Sequence, residues 1–454
     1  MLVSAAVFQV QQSLARSRTL TMTTASSNLL LDLDGRDIEL PVFSNVLRAL
    51  DGGGDRQVAG VSIANEVMQP GSHSGVLRLA VLDNATPQAV FLKKITGTHE
   101  PMAQRPWPDR RRTLAYARTE ARFYKEFAAD AEIAERLARL GVRLPKCALS
   151  DIRLEGVLGD AAVHEAAGDE PSPEAQEAAG ALLFLECVED LTQASPLSER
   201  HARQALRAVA GLHAACWEEQ PTLRRASKRL QRHGGCYALD IRSPAELTKL
   251  RPNWDAFMCA FAPLEPELFE RPSVAALGER LERWMAFASE QVSPGPADRF
   301  ATIVHGDFKG MNVFFPPDEA HERSPAMLID FASTGVGLGM CDVAMLLSHS
   351  VAPDTLAGGG QERLLGVYLD ALAERGIVGY DRTTATRHFH LATVDYARFV
   401  LSRFWGGASA AAFAKRAANP NVCLPNRDVA AAIRFVDRVD ASLTALDGGG
   451  GTCC

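Results

Sequence analysis

Short apolar and β-branched runs separated by turn residues characterise the first part of the chain. Val58–Met68, Val76–Leu82 and Ala89–Ile95 are such runs, and Gly, Ser, Pro, Asp and Asn residues separate them. This pattern predicts a meander of three antiparallel strands. A segment with helical spacing precedes them at 41–50, and Ala181–Glu186 predicts one further buried strand.

Helical spacing dominates the remainder of the chain. One long helix is predicted from Thr113 to Leu140, ending at Gly141, and strand is predicted within 145–160. Residues 164–180 are rich in Ala, Glu and Gly and predict a surface loop. The one β interruption of the later region is 302–331, which predicts two short strands. Seven further helices are predicted at 198–217, 244–262, 273–291, 340–350, 360–375, 383–404 and 427–446.

The order of these elements predicts an α+β protein with a β-rich first lobe, a mostly helical second lobe and a cleft between them. The expected divisions are a leader at 1–40, a first lobe at 41–185, a second lobe at 186–446 and a flexible tail at 447–454. No internal repeat is present.

Composition narrows the class of protein. The 454 residues are 47% apolar and 23% charged, which is typical of a folded protein. A net charge of −7 argues against general nucleic-acid binding. Seven of the nine cysteines are scattered singly and none forms a C-x-x-C pair, which favours reduced thiols and a cytoplasmic location over disulfides or a zinc site.

The two termini leave alternatives open. Arg16, Arg18, many Ser and Thr and the lack of acids before Asp32 fit a mitochondrial or plastid transit segment; a disordered leader or a start at Met22 fits equally well. The tail ends in Cys453 and Cys454 and resembles the prenylated tails of Rab-type GTPases, but an ordinary flexible tail is the preferred interpretation. No apolar run approaches the roughly 20 residues of a membrane span.

The strongest chemical signal is the loop His305-Gly-Asp307-Phe-Lys309-Gly-Met-Asn312. A carboxylate, a lysine and an amide at this spacing suit phosphoryl transfer. Asp307 would accept or orient the proton of an acceptor hydroxyl, and Lys309 would neutralise charge on the transferred phosphate. Asn312 would bind Mg²⁺ through its amide oxygen. His305 is expected to support the loop rather than to react.

A second carboxylate completes this pattern. Asp330 ends the apolar run Met-Leu-Ile and is predicted to be the second Mg²⁺ ligand, on the phosphates of ATP. Asp342 follows a glycine-rich segment and is predicted to cap a helix, with a possible second role in bracing the catalytic loop.

In the first lobe, a strand lysine and a helix carboxylate are predicted to hold the nucleotide. Lys94 is the rival for the phosphate contact, because alternate strand residues face opposite sides and only one of the two can reach it. The register of the motif favours Lys93. Glu120 on the long helix would hold that lysine. The remaining predicted nucleotide contacts are Gly71 and Gly75, in a turn over the phosphates, and Glu186 and Val188, in a hinge beside adenine.

The acceptor pocket is not identified by the sequence. Helix 383–404 and the residue after it carry polar and aromatic side chains that fit either a pocket wall or helix packing: Asp395, Tyr396, Arg398, Arg403, Phe404 and Trp405. His213 is interpreted as a core or interface histidine.

The assembled motifs resemble the aminoglycoside phosphotransferase and choline/ecdysteroid kinase-like (CHK kinase-like) superfamily over residues 58–350. The resemblance rests on Lys93, Glu120, the hinge near Glu186, Leu212-His213-Ala214, His305-Gly306-Asp307 with Asn312, Asp330-Phe331 and Asp342. It implies a bilobal protein-kinase-like fold, ATP, Mg²⁺ and γ-phosphate transfer to a hydroxyl.

Two departures bear on the acceptor. Ala332 stands where protein kinases have the Gly of Asp-Phe-Gly, and no long activation segment fits before Asp342. The spacing of Lys309, by contrast, matches protein kinases. The function predicted is therefore a small-molecule O-kinase; the alternatives are a protein Ser/Thr kinase-like enzyme and a non-catalytic binding module. The sequence leaves the oligomeric state undetermined.

Overall fold

The computed structural model describes residues 27–54, 56–69, 72–82, 86–96, 104–159, 169–239, 242, 244–317 and 324–448. The transit-like segment before residue 27, Gly71, and the tail cysteines Cys453 and Cys454 lie outside the described residues.

Part of the segment assigned to a leader is folded. Leu29 is fully buried in the apolar core of the N-terminal sheet. Lys94 Nζ donates to the carbonyl oxygens of Asn28, Leu31 and Asp32. Residues 27–39 therefore form part of the first compact unit, because their leucines complete its core.

The predicted meander is confirmed and is extended to a five-stranded antiparallel sheet. Its spatial order is β1-β2-β3-β5-β4. Ser74 lies opposite Lys93 in the β2–β3 pair, and Val90 lies opposite Glu186 in the β3–β5 pair. The strands are β1 Val58–Gln69, β2 Ser72–Val81, β3 Gln88–Thr96, β4 Cys147–Arg153 and β5 Gly180–Glu186.

The predicted helix 113–140 is not continuous. The first α-helix that the structure describes, α1, is Leu40–Asp51. The predicted long helix begins earlier than expected as α2 (Trp107–Arg122), continues as a π-helix at Phe123–Ala128, and is followed by a separate helix, α3 (Ala131–Arg139). The restart has a local cause, because Asp130 Oδ1 accepts hydrogen bonds from the N–H groups of Glu132 and Ile133 and caps the new helix.

The predicted C-terminal helices are confirmed, with two of them divided and one added at 220–229. Several helices of four or five residues were not predicted. In chain order, the described α-helices after α3 are α4 Glu155–Leu158, α5 Pro173–Glu177, α6 Glu199–Cys216, α7 Gln220–Arg229, α8 Pro244–Leu247, α9 Leu250–Phe261, α10 Pro266–Phe269, α11 Pro272–Ala275, α12 Leu277–Gln291, α13 Gly339–His349, α14 Pro353–Leu356, α15 Gly360–Ala373, α16 Arg382–Phe404, α17 Ala410–Ala414 and α18 Val429–Gly448.

The β region is longer than the predicted 302–331 and contains four short strands between Ala301 and Leu338 rather than two. β6 (Ala301–Val304) pairs with β9 (Gly335–Leu338), and β7 (Val313–Phe314) pairs with β8 (Met327–Leu328). The prediction missed β9 because two of its four residues are glycines, which weaken strand patterns. A side chain at Gly335 would lie 2.3 Å from the carbonyl oxygen of Gln231, so close packing requires the glycine.

The chain forms two compact units. Among the described residues, the first comprises those before Glu135, together with Leu144–Thr192 and Ile329–Ala332, and the second comprises Glu135–Arg143, Gln193–Leu328 and those from Ser333 onward. The first holds the five-stranded sheet and the second most of the helices, which confirms the predicted α+β class. Among the described helices, none has the length and apolar character needed to cross a membrane.

Candidate functional site

Lys93 lies at the centre of a buried charge cluster in the first unit. Its Nζ forms a short ion pair with Glu120 on α2 and lies 3.3 Å from Asp330 Oδ1. All three side chains are at least nine-tenths buried. Lys94 points elsewhere, to the backbone of residues 28–32, so the strand register selects Lys93.

The charges of this cluster do not balance. Burial opposes the charged form of Lys93, but Asp330 and Glu120 together raise the pKa of Lys93 above its ordinary value. Burial raises the pKa of Glu120 from 4.5 to about 6; Lys93 lowers it and the Asp330 charge raises it. One ammonium group between two carboxylates leaves excess negative charge, and such a cluster attracts a cation.

Asp330 occupies an unusual backbone conformation. Its φ angle of 66° lies in the left-handed region, which Asp tolerates better than most residues. The next residue anchors it, because the Phe331 ring stacks on Phe123 with centroids 3.9 Å apart and meets Tyr124 edge-on at 6.0 Å. The π-helix that carries both of these rings begins three residues after Glu120. Packing thus fixes Asp330 beside Lys93.

The Asp307 loop of the second unit is fully buried. Lys309 Nζ donates to Asp307 Oδ2 at 2.8 Å, and Asn312 Nδ2 donates to the Asp307 carbonyl oxygen at 2.7 Å. Gly306 makes the turn possible, since its φ is 81° and a Cβ there would lie 2.0 Å from the Ser333 carbonyl oxygen. The three predicted catalytic-loop side chains are therefore brought together.

Electrostatics favour an ionised Asp307. Burial would raise the pKa of its carboxyl group, but the Lys309 ammonium overcomes this effect and holds the pKa below its ordinary value. A carboxylate with so low a pKa is a weak base. It is better suited to orienting a hydroxyl group than to removing a proton before transfer.

Asp342 braces this loop from α13. Its carboxylate accepts hydrogen bonds from the N–H groups of His305 at 2.7 Å and Gly306 at 2.9 Å. It also lies 3.0 Å from His213 Nε2. The predicted helix-cap role is wrong, because Leu338 occupies the N-cap position and Asp342 lies inside the first turn. His305 supports the loop through its backbone.

Of the other predicted nucleotide contacts, Gly75 and Glu186 lie on the N-terminal sheet, and Val188 follows its strand β5. Gly75 is in the middle of β2 rather than in a turn, and a Cβ there would lie 2.6 Å from both the Asn65 carbonyl oxygen and Leu29. Packing thus explains this glycine. Glu186 ends β5 and accepts a hydrogen bond from the Lys146 N–H, and Val188 follows shortly after.

The sequence did not identify two neighbours of the Asp307 loop. Cys236 Sγ donates to Asp307 Oδ1 at 3.6 Å, and Ser350 Oγ accepts from the Gly310 N–H at 2.8 Å. No spacing signal links either residue to the motif. In the helix 383–404 cluster, Arg398 pairs with Asp395 inside the core, and Trp405 stacks on Phe257 at 3.8 Å, which is helix packing.

Each unit carries one side chain whose oxygen is of the type that Mg²⁺ prefers: the carboxylate of Asp330 in the first unit and the amide of Asn312 in the second. Within the described part of the chain, no group of three or more His, Cys, Asp or Glu side chains could hold a metal alone. Mg²⁺ commonly takes its remaining ligands from nucleotide phosphates and water.

Comparison with known proteins gives one family match. Residues 189–376 match the profile of the ecdysteroid kinase-like family. A search of curated proteins gives no match. The resemblance inferred from the motifs is thereby confirmed for this part of the chain.

Many solved structures are similar to the chain, and three of them serve as examples. Aminoglycoside phosphotransferase APH(3'')-Id from Streptomyces rimosus shares 19% identity, covering 80% of this chain and 99% of that chain, with a TM-score of 0.34. Choline kinase LicA from Streptococcus pneumoniae shares 12% identity over 89% and 98%, with a TM-score of 0.35. Amicoumacin kinase hAmiN, in complex with AMP-PNP, Ca²⁺ and Ami, shares 12% identity over 84% and 88%, with a TM-score of 0.39.

Proposed function

We propose that this protein is an ATP- and Mg²⁺-dependent phosphotransferase that moves the γ-phosphate of ATP to a hydroxyl group of a small molecule. The buried Lys93 cluster carries the proposal. Glu120 and Asp330 lie 27 and 237 residues from Lys93 along the chain, yet both contact its ammonium group. A lysine held by a helix carboxylate beside a second carboxylate suits nucleotide phosphates and their metal ion.

The first unit would bind the nucleotide. Lys93 would contact the phosphates once Glu120 has fixed its position, and Asp330 would bind Mg²⁺. The backbone at Glu186 to Val188, at the end of β5, would hydrogen-bond adenine. Mg²⁺ would neutralise charge on the phosphate oxygens.

The second unit would perform the transfer. The Asp307 carboxylate would accept a hydrogen bond from the acceptor hydroxyl, which directs an oxygen lone pair toward the γ-phosphorus. A new bond between the acceptor oxygen and the γ-phosphorus would form as the bond from that phosphorus to the ADP oxygen breaks, and the hydroxyl proton would pass to a phosphate oxygen and from there to solvent. Lys309 would stabilise the negative charge on the transferred phosphate, and Asn312 would provide a further metal ligand.

A small-molecule acceptor is favoured over a protein. The residues between Phe331 and Asp342 are occupied by β9 and the start of α13, and most of their side chains are buried. Between these two residues there is thus no exposed loop against which a peptide substrate could bind in an ordered conformation. The family match and the kinase neighbours support the same choice, since the neighbours' names specify choline and antibiotics as acceptors.

The test is a screen for phosphorylated products. The full chain is incubated with ATP, Mg²⁺ and a library of hydroxylated metabolites that includes ecdysteroids, choline and aminoglycosides, and products are detected by mass. Asp307→Asn should reduce turnover by about 10²- to 10⁴-fold and leave ATP affinity intact. Asp370→Asn, on the surface of α15, is the control. Full turnover by Asp307→Asn would refute the assignment.

A further inference from the structure

Three buried side chains connect α15 to the backbone of the Asp307 loop. Tyr368 Oη lies 2.8 Å from His213 Nδ1, and His213 Nε2 lies 3.0 Å from Asp342 Oδ2. At most 1% of each side chain is exposed. The residues stand on α15, α6 and α13 respectively, all within the second unit. The sequence assigned no role to Tyr368.

The direction of these hydrogen bonds is fixed by the Asp342 carboxylate. This group accepts from the N–H groups of His305 and Gly306, and an ionised carboxylate has no proton to donate. His213 must therefore donate through Nε2–H. Its Nδ1 is then an acceptor, and the Tyr368 hydroxyl is the donor that satisfies it. The tyrosine thus selects the imidazole tautomer that Asp342 requires.

The start of α13 leaves space for this arrangement. A Cβ at Gly339 would lie 2.1 Å from Tyr368 Oη and 2.6 Å from His213 Nδ1. Any side chain at this position would separate the two groups. The glycine therefore permits the hydrogen bond that sets the tautomer.

We propose that Tyr368 and His213 are positioning residues for phosphate transfer; this inference rests on the function proposed above. They orient the Asp342 carboxylate, Asp342 holds the backbone at His305 and Gly306, and this backbone aims the Asp307 carboxylate. Neither residue touches substrate. Without the Tyr368 hydroxyl, His213 can adopt the Nδ1–H tautomer, and its Nε2 lone pair then faces the carboxylate and repels it.

The experiment compares two Tyr→Phe variants of the full chain. Tyr368→Phe removes the relay donor, and Tyr380→Phe is the matched control, since Tyr380 Oη also lies 3.0 Å from a histidine Nδ1, that of His388. We expect Tyr368→Phe to lower kcat by about three- to tenfold without changing KM for ATP. Amide hydrogen exchange at His305 and Gly306 should become faster. The control should leave kcat within about twofold of wild type.

A second pair of variants tests the Asp342 contact. His213→Gln keeps an N–H donor near the Nε2 position, whereas His213→Leu removes it, so Gln should retain more kcat and slower exchange at 305–306. The inference would be overturned if His213→Gln and His213→Leu had equal kcat. It would also be overturned if both Tyr→Phe variants lost the same fraction of kcat, or if Tyr368→Phe changed neither kcat nor hydrogen exchange. If wild type transfers no phosphate to any acceptor, the proposed function fails, while the exchange measurements still decide whether the relay orders the loop.

Discussion

Lys309 Nζ lies 2.8 Å from Asp307 Oδ2, and both residues belong to one buried loop. The lysine is therefore a direct counter-charge to the carboxylate that would orient the acceptor. It keeps Asp307 ionised despite burial. It also brings a positive charge to the place where the proposed transfer builds negative charge.

Replacing Lys309 should change the pH dependence of turnover. In Lys309→Met, the largest of the effects that oppose burial is lost, so the pKa of Asp307 rises and the active carboxylate is lost as pH falls. The ratio of kcat/KM at pH 5.5 to that at pH 8 should decrease by at least about tenfold relative to wild type. Lys309→Arg, which keeps the charge, is the control. An identical pH profile for Lys309→Met would show that the lysine does not control Asp307.

Glu120→Gln should remove a pH dependence of stability. Glu120 titrates near 4.5 when unfolded and near 6 when folded, so its contribution to stability is fully present below pH 4.5 and is lost as pH rises through 6. As pH is raised from 4.5 to 7.5, the unfolding free energy of wild type should therefore fall by about 2 kcal/mol more than that of Glu120→Gln. Denaturant unfolding at several pH values measures this difference. A constant difference would contradict the raised pKa.

Asp330→Asn should separate metal binding from backbone strain. Asn tolerates the left-handed conformation that Asp330 adopts, so the substitution removes charge and little else. Calorimetry should show that the gain in ATP affinity caused by Mg²⁺ is lost in this variant. Asp151→Asn, on β4 of the same unit, should keep the gain. A full Mg²⁺ effect in Asp330→Asn would exclude this residue as a ligand.

Gly306→Ala should disrupt the catalytic loop more than its backbone angle alone explains. Gly306 and Gly141 have similar φ angles of 81° and 71°, but only at Gly306 would a Cβ meet other atoms within 4 Å. Gly141→Ala should cost about 1–2 kcal/mol of stability. Gly306→Ala should cost more and should also abolish turnover. Thermal melting and kcat measure both effects, and equal losses in the two variants would refute a steric role.

Much of the site was predictable because its chemistry is local in sequence. The spacing of Asp307, Lys309 and Asn312 places them in one loop whatever the rest of the fold does. Lys93 was preferred to Lys94 on register alone, and the sheet brings Lys93 to Glu120. The apolar alternation of β1 to β3 gave their positions within a few residues.

What the sequence missed depends on contacts between distant segments. Tyr368 reads as an ordinary core residue of α15 until His213 and Asp342 are seen beside it. The strand β9 was hidden because close packing against Gln231 and Val304 selects glycine, which conceals the alternation of a strand. Asp342 looked like a cap because a carboxylate in a first helical turn has the same sequence signature.

The π-helix at Phe123–Ala128 is a place where the length of this chain can change in evolution with little effect on the site. A π-helical turn holds one more residue than the α-helix around it. Deleting that residue would give a regular helix and would leave the flanking residues facing nearly the same directions. A deletion between Glu120 and Phe123 would instead rotate one of them by about 100° relative to the other. Glu120 and the Phe123 ring could not then both keep their partners, Lys93 and Phe331. Related sequences should therefore preserve the number of residues between Glu120 and Phe123, and a residue missing from this helix should be missing from the π-helical turn.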